Sequence, residues 1–466
     1  MLTYHLSHKS DISLYEQLYR AIRKDIIEGV LVGGEKLPSK RSLAQHLKIS
    51  QITVETAYGQ LLAEGYIKSK ARSGYYVQQI EVHNKKIDNI KHEIPKPKQK
   101  DYLYAFHTNT VDTSCFPFAT WAKLLRSELT DRASNLLKAG ENKGVLQLRQ
   151  EICRYLAEFR GISVLPQQIV VGAGSEYLLT LLIQLLGRNR TYALENPCYP
   201  KLNNIFKANG ANVQPITLDK DGLEIDLLSK TDASVVYLTP SHQFPLGIVM
   251  PANRRIQMLN WTQQSDDRYI IEDDYDSEFR YTSKPIPAMK ELDHDDRVIY
   301  LNTFAKSLAP SLRISYMVLP LRLLNEYEQK LGFYASTVPS FEQYTLARFL
   351  QTGSFERHVS RIKNLYKSRR DILISALSST KFAKDMKLFG AEAGLHFMLK
   401  LENGLTEQQM VKKASENGVH LHGLSDYLIT DSAEIQKSTV VLGYAGLDKD
   451  TIYKAVSCLD NAWFIG

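Results

Sequence analysis

Residues 298–320 read VIYLNTFAKSLAPSLRISYMVLP. The apolar runs VIYL and ISYMVL have the length and the β-branched and aromatic content of buried strands. A small-residue loop between them holds Lys306, with Arg313 seven positions on. A single lysine is most often a surface residue, so its meaning depends on what else converges with it. Upstream, YIIEDDYDSEFRY (269–281) is a strand whose carboxyl end carries Glu272, Asp273, Asp274 and Tyr275. VVYLTPSHQFPLG (235–247) is a buried strand entering a Pro/Gly loop, and ALENPCYP (193–200) delivers Tyr199 to another loop. QIVVGAGSEYLLTLLIQLL (168–186) reads as a strand, a glycine-rich turn and a long apolar helix, whose first amides suit a phosphate. Alternating strands and helices from residue 101 onward indicate an open α/β sheet, in which ligands collect at the carboxyl ends of strands.

Taken singly, each of these signals has a bland explanation: a tight turn, a solvated acidic cluster, a surface lysine. Taken in order they meet the requirements of one cofactor. Pyridoxal phosphate needs a lysine amine for a Schiff base, an anion beside its pyridinium nitrogen, a donor to its ring hydroxyl, a flat side chain against the ring, and a phosphate cup. Lys306, Asp273, Tyr275 and Tyr199 supply the first four, and Arg313 with Ser175 and Thr303 supplies the cup.

The N-terminal part has a different texture. Leu14, Leu18, Ile22 and Ile26 recur every four residues and stop at Gly29. GEKLPSKRSLAQHLKIS (34–50) leads into a second helix with Ser39 as N-cap and Leu43, Ala44 and Leu47 as its buried stripe. Ser50 caps a third, QITVETAYGQLLAE (51–64), with Val54, Ala57, Leu61 and Leu62 inward and Gln51, Thr53 and Thr56 outward, as a major-groove reader would place them. YIKSKARSGYYV (66–77) reads as two short strands about a turn, with Lys68, Lys70 and Arg72 exposed. The order is that of a winged helix-turn-helix, although periodicity alone fits a three-helix interaction module equally well.

Residues 12–79 form this module, residues 80–100 (IEVHNKKIDNIKHEIPKPKQK) a lysine- and proline-containing flexible linker, and residues 101–466 the large domain. Residues 1–80 hold 11 Lys/Arg against 7 Asp/Glu, and residues 81–100 hold 6 against 3, so the net charge of +7 resides wholly in the N-terminal part. That is an electrostatic footprint for a polyanion such as DNA. The composition, 44% hydrophobic and 23% charged, is that of a globular protein, and no apolar run reaches the roughly 18–20 residues of a membrane helix. The N-terminus shows no signal-peptide pattern, and four scattered cysteines suggest neither disulfide nor zinc, consistent with a reduced cytoplasm.

Residues 26–77 resemble the DNA-binding domain of the GntR regulators. Gly34, Leu37, Pro38, Ser39, Arg41, Leu43, Ala44, Val54, Ala57, Tyr58, Leu61, Gly65 and Gly74 match the family pattern. The resemblance implies that Arg41 and the start of the third helix (Gln51, Thr53, Thr56) contact double-stranded promoter DNA, with Arg72 and Gly74 at the wing tip. Residues 101–466 resemble fold-type-I aminotransferases, which have a large α/β domain and a smaller C-terminal α/β subdomain. The variants Phe116-Pro117 with Trp121, TPSHQFPLG and EDDYDSEFRY resemble the MocR/GabR family, bacterial regulators in which this domain follows a GntR winged helix. The resemblance implies that Lys306 carries the cofactor and Asp273 pairs its ring nitrogen. Tyr275 then meets the ring oxygen, Tyr199 stacks, and Thr303, Ser175 and Arg313 hold the phosphate. It also implies a head-to-tail homodimer, which a linker extending about 3.3 Å per residue is long enough to permit.

Two departures bear on catalysis. Working aminotransferases carry an Asn-Pro-x-Gly loop, whereas this chain has Phe244-Pro245-Leu246-Gly247. They also clamp the substrate carboxylate with a C-terminal arginine; here the strand reads VVLGYAGL (440–447) and no arginine follows Arg370. The loop GVHLHGLSDYL (418–428) offers His422 and Asp426 to an effector pocket instead, where Asp426 would repel a carboxylate, and Lys201 is the cation left to meet one. The expectation is a regulator rather than an enzyme, with a residual transamination half-reaction allowed. Its small-molecule effector is the cofactor itself, vitamin B6, or an amine joined to it. An active aminotransferase carrying a DNA-binding arm is the alternative.

Overall fold

The computed structural model describes residues 2–7, 11–80, 101–108, 110–138, 140–281, 286–430 and 438–464. The chain divides into two compact units, Met1–Lys98 and Gln99–Gly466. Apart from Ile80, the expected linker lies outside the described residues.

In the first unit, helices span Leu14–Ile27, Lys40–Leu47 and Gln51–Ala63, and strands Ile67–Lys70 and Gly74–Val77 pair antiparallel. Leu18, Ile22 and Ile26 are buried on the first helix. The Ser39 hydroxyl accepts a hydrogen bond from the Ser42 amide at 3.1 Å, and that of Ser50 accepts one from the Thr53 amide at 3.1 Å. Each cap is worth about 1 kcal/mol. Val54, Ala57, Tyr58 and Leu61 form the buried face of the third helix. Leu62, expected inward, is instead 41% exposed. At 3.6 residues per turn it points about 100° away from Leu61, and Tyr58 occupies the core volume in its place.

The second unit is built on an eight-stranded sheet. Its spatial order is Ile169–Gly172, Ser315–Val318, Val298–Thr303, Tyr269–Asp273, Val235–Leu238, Thr191–Asn196, Asn212–Asp219 and Gly222–Leu223. The run of strands from Val298–Thr303 to Asn212–Asp219 is parallel; Ser315–Val318 is antiparallel to both its neighbours. All six residues of Val298–Thr303 are buried, as expected of a central strand covered on both faces. Parallel pairing brings the carboxyl ends of four successive strands to one edge, so Asn196, Leu238, Asp273 and Thr303 open their loops side by side.

A second, four-stranded sheet runs Met386–Phe389, His396–Leu401, Thr439–Gly443 and His422–Gly423. Its core includes Phe397, Leu399, Leu442 and Tyr444 with Ile362, Tyr366 and Leu373 of helix Ser354–Ser378 and Ile452, Leu459 and Trp463 of helix Lys449–Trp463. This is the smaller C-terminal α/β subdomain. Strand Tyr104–Ala105 returns to it, pairing in parallel with Val419–His420. No described helix is long and apolar enough to cross a membrane.

Candidate cofactor cavity and DNA-reading face

Strand alternation sorts the acidic run at the end of Tyr269–Asp273. The buried Glu272 carboxylate accepts the Met289 and Lys290 amides at 2.7 and 2.8 Å. Asp274, also buried, pairs with Arg160 at 2.6 Å and accepts the Tyr300 hydroxyl at 2.6 Å. Asp276 meets His242 Nδ1 at 2.9 Å. Asp273, between two residues that face the opposite side, lines a cavity of about 280 Å³.

That cavity brings together all seven residues expected at the cofactor: Lys306, Asp273, Tyr275, Tyr199, Ser175, Thr303 and Arg313. Burial pushes the Asp273 carboxyl up to about 7, and the carboxylates of Asp274, Asp276 and Glu272 push the same way, while a hydrogen bond from the Tyr237 hydroxyl opposes them. A buried acid among acids is stabilised by a cationic N–H, which is what a protonated pyridine ring presents. Burial also lowers the Lys306 amine to about 8, against the pull of Asp276 and Asp273. An amine that sheds its proton near neutrality is fit to attack an aldehyde.

The phosphate end is shaped by backbone. Helix Ser175–Leu186 begins at Gly174, whose φ of +94° is open to glycine. A Cβ there would lie 2.4 Å from Arg313 Nη2. Arg313 itself adopts φ +52° and reaches Glu176 at 2.9 Å and the Ala173 carbonyl at 3.3 Å. The first amides of a helix have no partner within it, so amides, the Ser175 hydroxyl and a guanidinium face one concavity, a fit to a phosphate dianion.

Phe244 lines the same cavity, its ring edge-on to Tyr199 (5.8 Å between centroids), Tyr275 (6.1 Å) and Tyr427 (5.4 Å). Lys201 lines it too and lies 3.5 Å from Glu176. Among the described residues, the cations on the cavity wall are Lys201, Lys306 and Arg313. Arg369 and Arg370 turn elsewhere: Arg369 donates to the Ala445 carbonyl and to Asp112, Arg370 to the Ala391 carbonyl and Asp371. Thr439–Gly443, where a carboxylate-clamping arginine was sought, is buried throughout and wholly apolar from Val440 to Leu442.

His422 and Asp426 are not part of this wall, a correction to their expected place in the effector pocket. They line a separate recess with Tyr102, Glu407 and His420. The cause is local: His422 pairs in the small sheet with Val441, and the turn Leu424–Tyr427 then sends Tyr427, not Asp426, toward Phe244.

Residues not anticipated line the cavity or support its wall. Glu195 sits at the carboxyl end of Thr191–Asn196, bonded to the Thr239 hydroxyl at 2.7 Å and amide at 3.1 Å, and burial pushes it up to about 7. Tyr237 holds Asp273. His242 approaches the Tyr275 hydroxyl at 3.2 Å. Their signal was present, since each lies on or just beyond a strand end already marked, but a buried acid and a strand tyrosine are commonplace singly. Cys198 is buried and its thiol is pushed up to about 12 by burial, consistent with a filler rather than a redox centre.

In the first unit, Arg41 and Gln51 are exposed at the starts of the second and third helices. Thr53 is half-buried with its hydroxyl 2.8 Å from Ser50 Oγ, and the exposed Thr56 donates to the Ile52 carbonyl at 2.9 Å, so both hydroxyls already have local partners. Arg72 is exposed with φ +58°, and Gly74, φ +112°, closes the turn of the hairpin. Ile52, 75% exposed beside Gln51, was not anticipated; its signal is an apolar residue off the buried stripe. Lys70 and Lys36 flank the Tyr76 ring at 4.7 and 5.9 Å, adding cations to the wing.

The comparisons with known proteins agree with both units. Residues 14–77 match the family of bacterial regulatory proteins, gntR family, and residues 107–459 match aminotransferase class I and II. The uncharacterized HTH-type transcriptional regulator YdeL of Bacillus subtilis is 39% identical, with 100% of both chains covered. The probable rhizopine catabolism regulatory protein MocR of Rhizobium meliloti is 30% identical over 98% of this chain and 95% of its own. A multiple substrate aminotransferase from Thermococcus profundus superposes with a TM-score of 0.69 at 26% identity, covering 78% of this chain and 92% of its own.

Proposed function

Because this chain belongs to the MocR/GabR family of transcription regulators, a GntR winged helix fused to an aminotransferase-like, pyridoxal phosphate-binding domain, we propose that occupancy of the Lys306 cavity sets its affinity for promoter DNA. The observation that carries this reading is the asymmetry of the cavity wall. The residues proposed to grip a cofactor all line one cavity, whereas the strand where a carboxylate clamp was sought is the apolar run Val440–Leu442.

Pyridoxal phosphate, when bound, supplies an aldehyde that joins primary amines and a ring that withdraws electrons. The chain's residues do the rest. Lys306 would hold the aldehyde carbon, Asp273 would keep the ring nitrogen protonated, and Tyr237 would hold Asp273 in place. Tyr275, positioned by His242, would donate to the ring oxygen; Tyr199 would cover one ring face. Ser175, Thr303 and Arg313 would bind the phosphate. Phe244 presents a hydrocarbon edge where working aminotransferases present an amide, which removes one donor from the ring oxygen. The ligand sensed is then the cofactor itself or its adduct with an amine, with Lys201 the cation available to an anionic group on it.

On the DNA side, Arg41, Gln51, Thr53, Thr56, Arg72 and Gly74 form the proposed contact set, with Ile52 placed to meet a thymine methyl. Two winged helices in a head-to-tail homodimer would read paired half-sites, in the cytoplasm. A gel-shift on the DNA upstream of the protein's own gene, with and without pyridoxal phosphate, tests the coupling. A several-fold change in affinity is expected; affinity indifferent to the cofactor, alone and with candidate amines, refutes it. Rapid multiple turnover with amino donors and a keto acid, followed in the visible spectrum, would establish instead an aminotransferase with a DNA-binding arm.

A further inference from the structure

His420 and His422, which line the recess outside the cofactor cavity, belong with His107 to a second arrangement of chemistry-bearing groups. His107, His420 and His422 offer ring nitrogens that all lie within 4.8 Å of one another. Three separate backbone constraints bring them together. His420 is the last residue of Val419–His420, which pairs with Tyr104–Ala105, and the Phe106 amide donates to the His420 carbonyl at 2.9 Å, so His107 emerges beside it. His422 opens the strand paired to Val441. Gly443 lets the chain at His107 pass close, since a Cβ there would fall 2.1 Å from the His107 carbonyl oxygen. Ring centroids stand 5.1 Å apart for His107 and His420 and 4.9 Å for His420 and His422.

Two further observations point to a ligand. The Nδ1 of His420 is buried without a hydrogen-bond partner, which is costly unless something fills it. His422 Nδ1 lies 3.1 Å from Asp426 Oδ2. A carboxylate on one ring nitrogen fixes the tautomer and leaves the other nitrogen's lone pair available, the usual outer partner of a metal-bound histidine.

We propose that His107, His420 and His422 form a binding site for a divalent transition-metal ion of the zinc class, with Asp426 orienting His422. Zinc–nitrogen bonds of about 2.0–2.1 Å place tetrahedral ligand nitrogens about 3.4 Å apart. From nitrogens within 4.8 Å of one another, that spacing requires the rings to turn inward on binding, and the exposed His107 is the one least confined. Three protein ligands leave a fourth position to water or to a ligand entering the recess.

The full-length holoprotein, stripped with a chelator and dialysed against zinc chloride, should retain one zinc ion per chain at micromolar or tighter affinity. H107Q and H420Q should each weaken it at least tenfold, and D426N by about 10–100-fold. H294Q, an exposed histidine elsewhere, should change nothing. Cobalt(II) should develop visible ligand-field absorption that H107Q removes. His107 is exposed, so its variant tests the site without disturbing the core even if H420Q unfolds the subdomain. Zinc uptake that ignores H107Q, or no uptake well above the micromolar range, overturns the proposal.

Discussion

Phe244 on the wall of the cofactor cavity packs edge-on against Tyr427, whose ring centroid lies 5.9 Å from that of His422 in the histidine recess, and each site collects groups of one chemical kind. In the cavity those groups are carboxylates. Glu272 and Asp274 are satisfied by backbone amides and by Arg160, which leaves Asp273 directed at the space beside Lys306. In the recess they are imidazoles, of which His422 is held on one ring nitrogen by Asp426. The difference lies in what each asks for: a cavity of buried acids selects a protonated ring, and a cluster of lone pairs selects a cation that takes electron pairs. The supports differ as well. The cavity hangs from the ends of long parallel strands, the recess from two-residue strands and a turn.

The separation of the two sites can be broken most sharply at Lys306. K306A should abolish the visible absorption of bound cofactor and uncouple DNA binding from it, while the winged helix stays folded and zinc retention is unchanged. H107Q should do the reverse. A K306A protein that still responded fully to pyridoxal phosphate in a gel-shift would refute the role given to the cavity. Next in size is Asp274. D274A removes one member of a buried ion pair and strands Arg160, at a cost of about 3–5 kcal/mol in denaturant unfolding. D273N, one residue away, should leave stability within about 1 kcal/mol and weaken cofactor retention instead. If the two variants behaved alike, the division of labour within the acidic run would be wrong.

Smaller again is G174A. A non-glycine residue at φ +94° costs about 1–3 kcal/mol, and its Cβ would displace Arg313. Cofactor affinity measured by equilibrium dialysis should fall about 10–100-fold, taking 1.4 kcal/mol per tenfold. Unchanged affinity would remove Arg313 from the phosphate cup.

The same contrast explains which parts were legible in the sequence. Asp273, Tyr275, Tyr199, Ser175, Thr303 and Lys306 each end or follow a recognisable strand, and parallel strands deliver their carboxyl ends to one edge whatever the loops do, while Arg313 precedes the adjacent antiparallel strand, whose amino end lies at the same edge. His422 and Asp426 sit instead where a two-residue strand and one turn decide direction, and a rotation by one residue exchanges Asp426 for Tyr427. Sequence spacing does not encode that rotation. The histidine cluster was hidden for another reason: His107 lies more than three hundred residues from His420, and only the pairing of Tyr104–Ala105 with Val419–His420 joins them. On the recognition helix, Leu62 and Tyr58 competed for one inward position, and apolar character alone could not choose between them.

The gentlest test of the cavity's electrostatics is the pH at which Lys306 becomes reactive. Burial lowers its amine to about 8 from an ordinary value near 10.5, while Asp276 and Asp273 resist that shift. Below this value the amine is mostly protonated and cannot attack an aldehyde, so the neutral fraction grows about tenfold per pH unit and then saturates. The rate at which apoprotein takes up pyridoxal phosphate in stopped-flow absorbance should therefore climb from pH 6 to about 8 and level off above it. Removing one acid from the wall weakens the field that favours the charged amine. D273N should consequently move the break downward, by a unit or less, since burial remains. A break that stayed near 10 would mean the amine is solvated, and a break moving upward in D273N would reverse the sign assigned to the acidic wall.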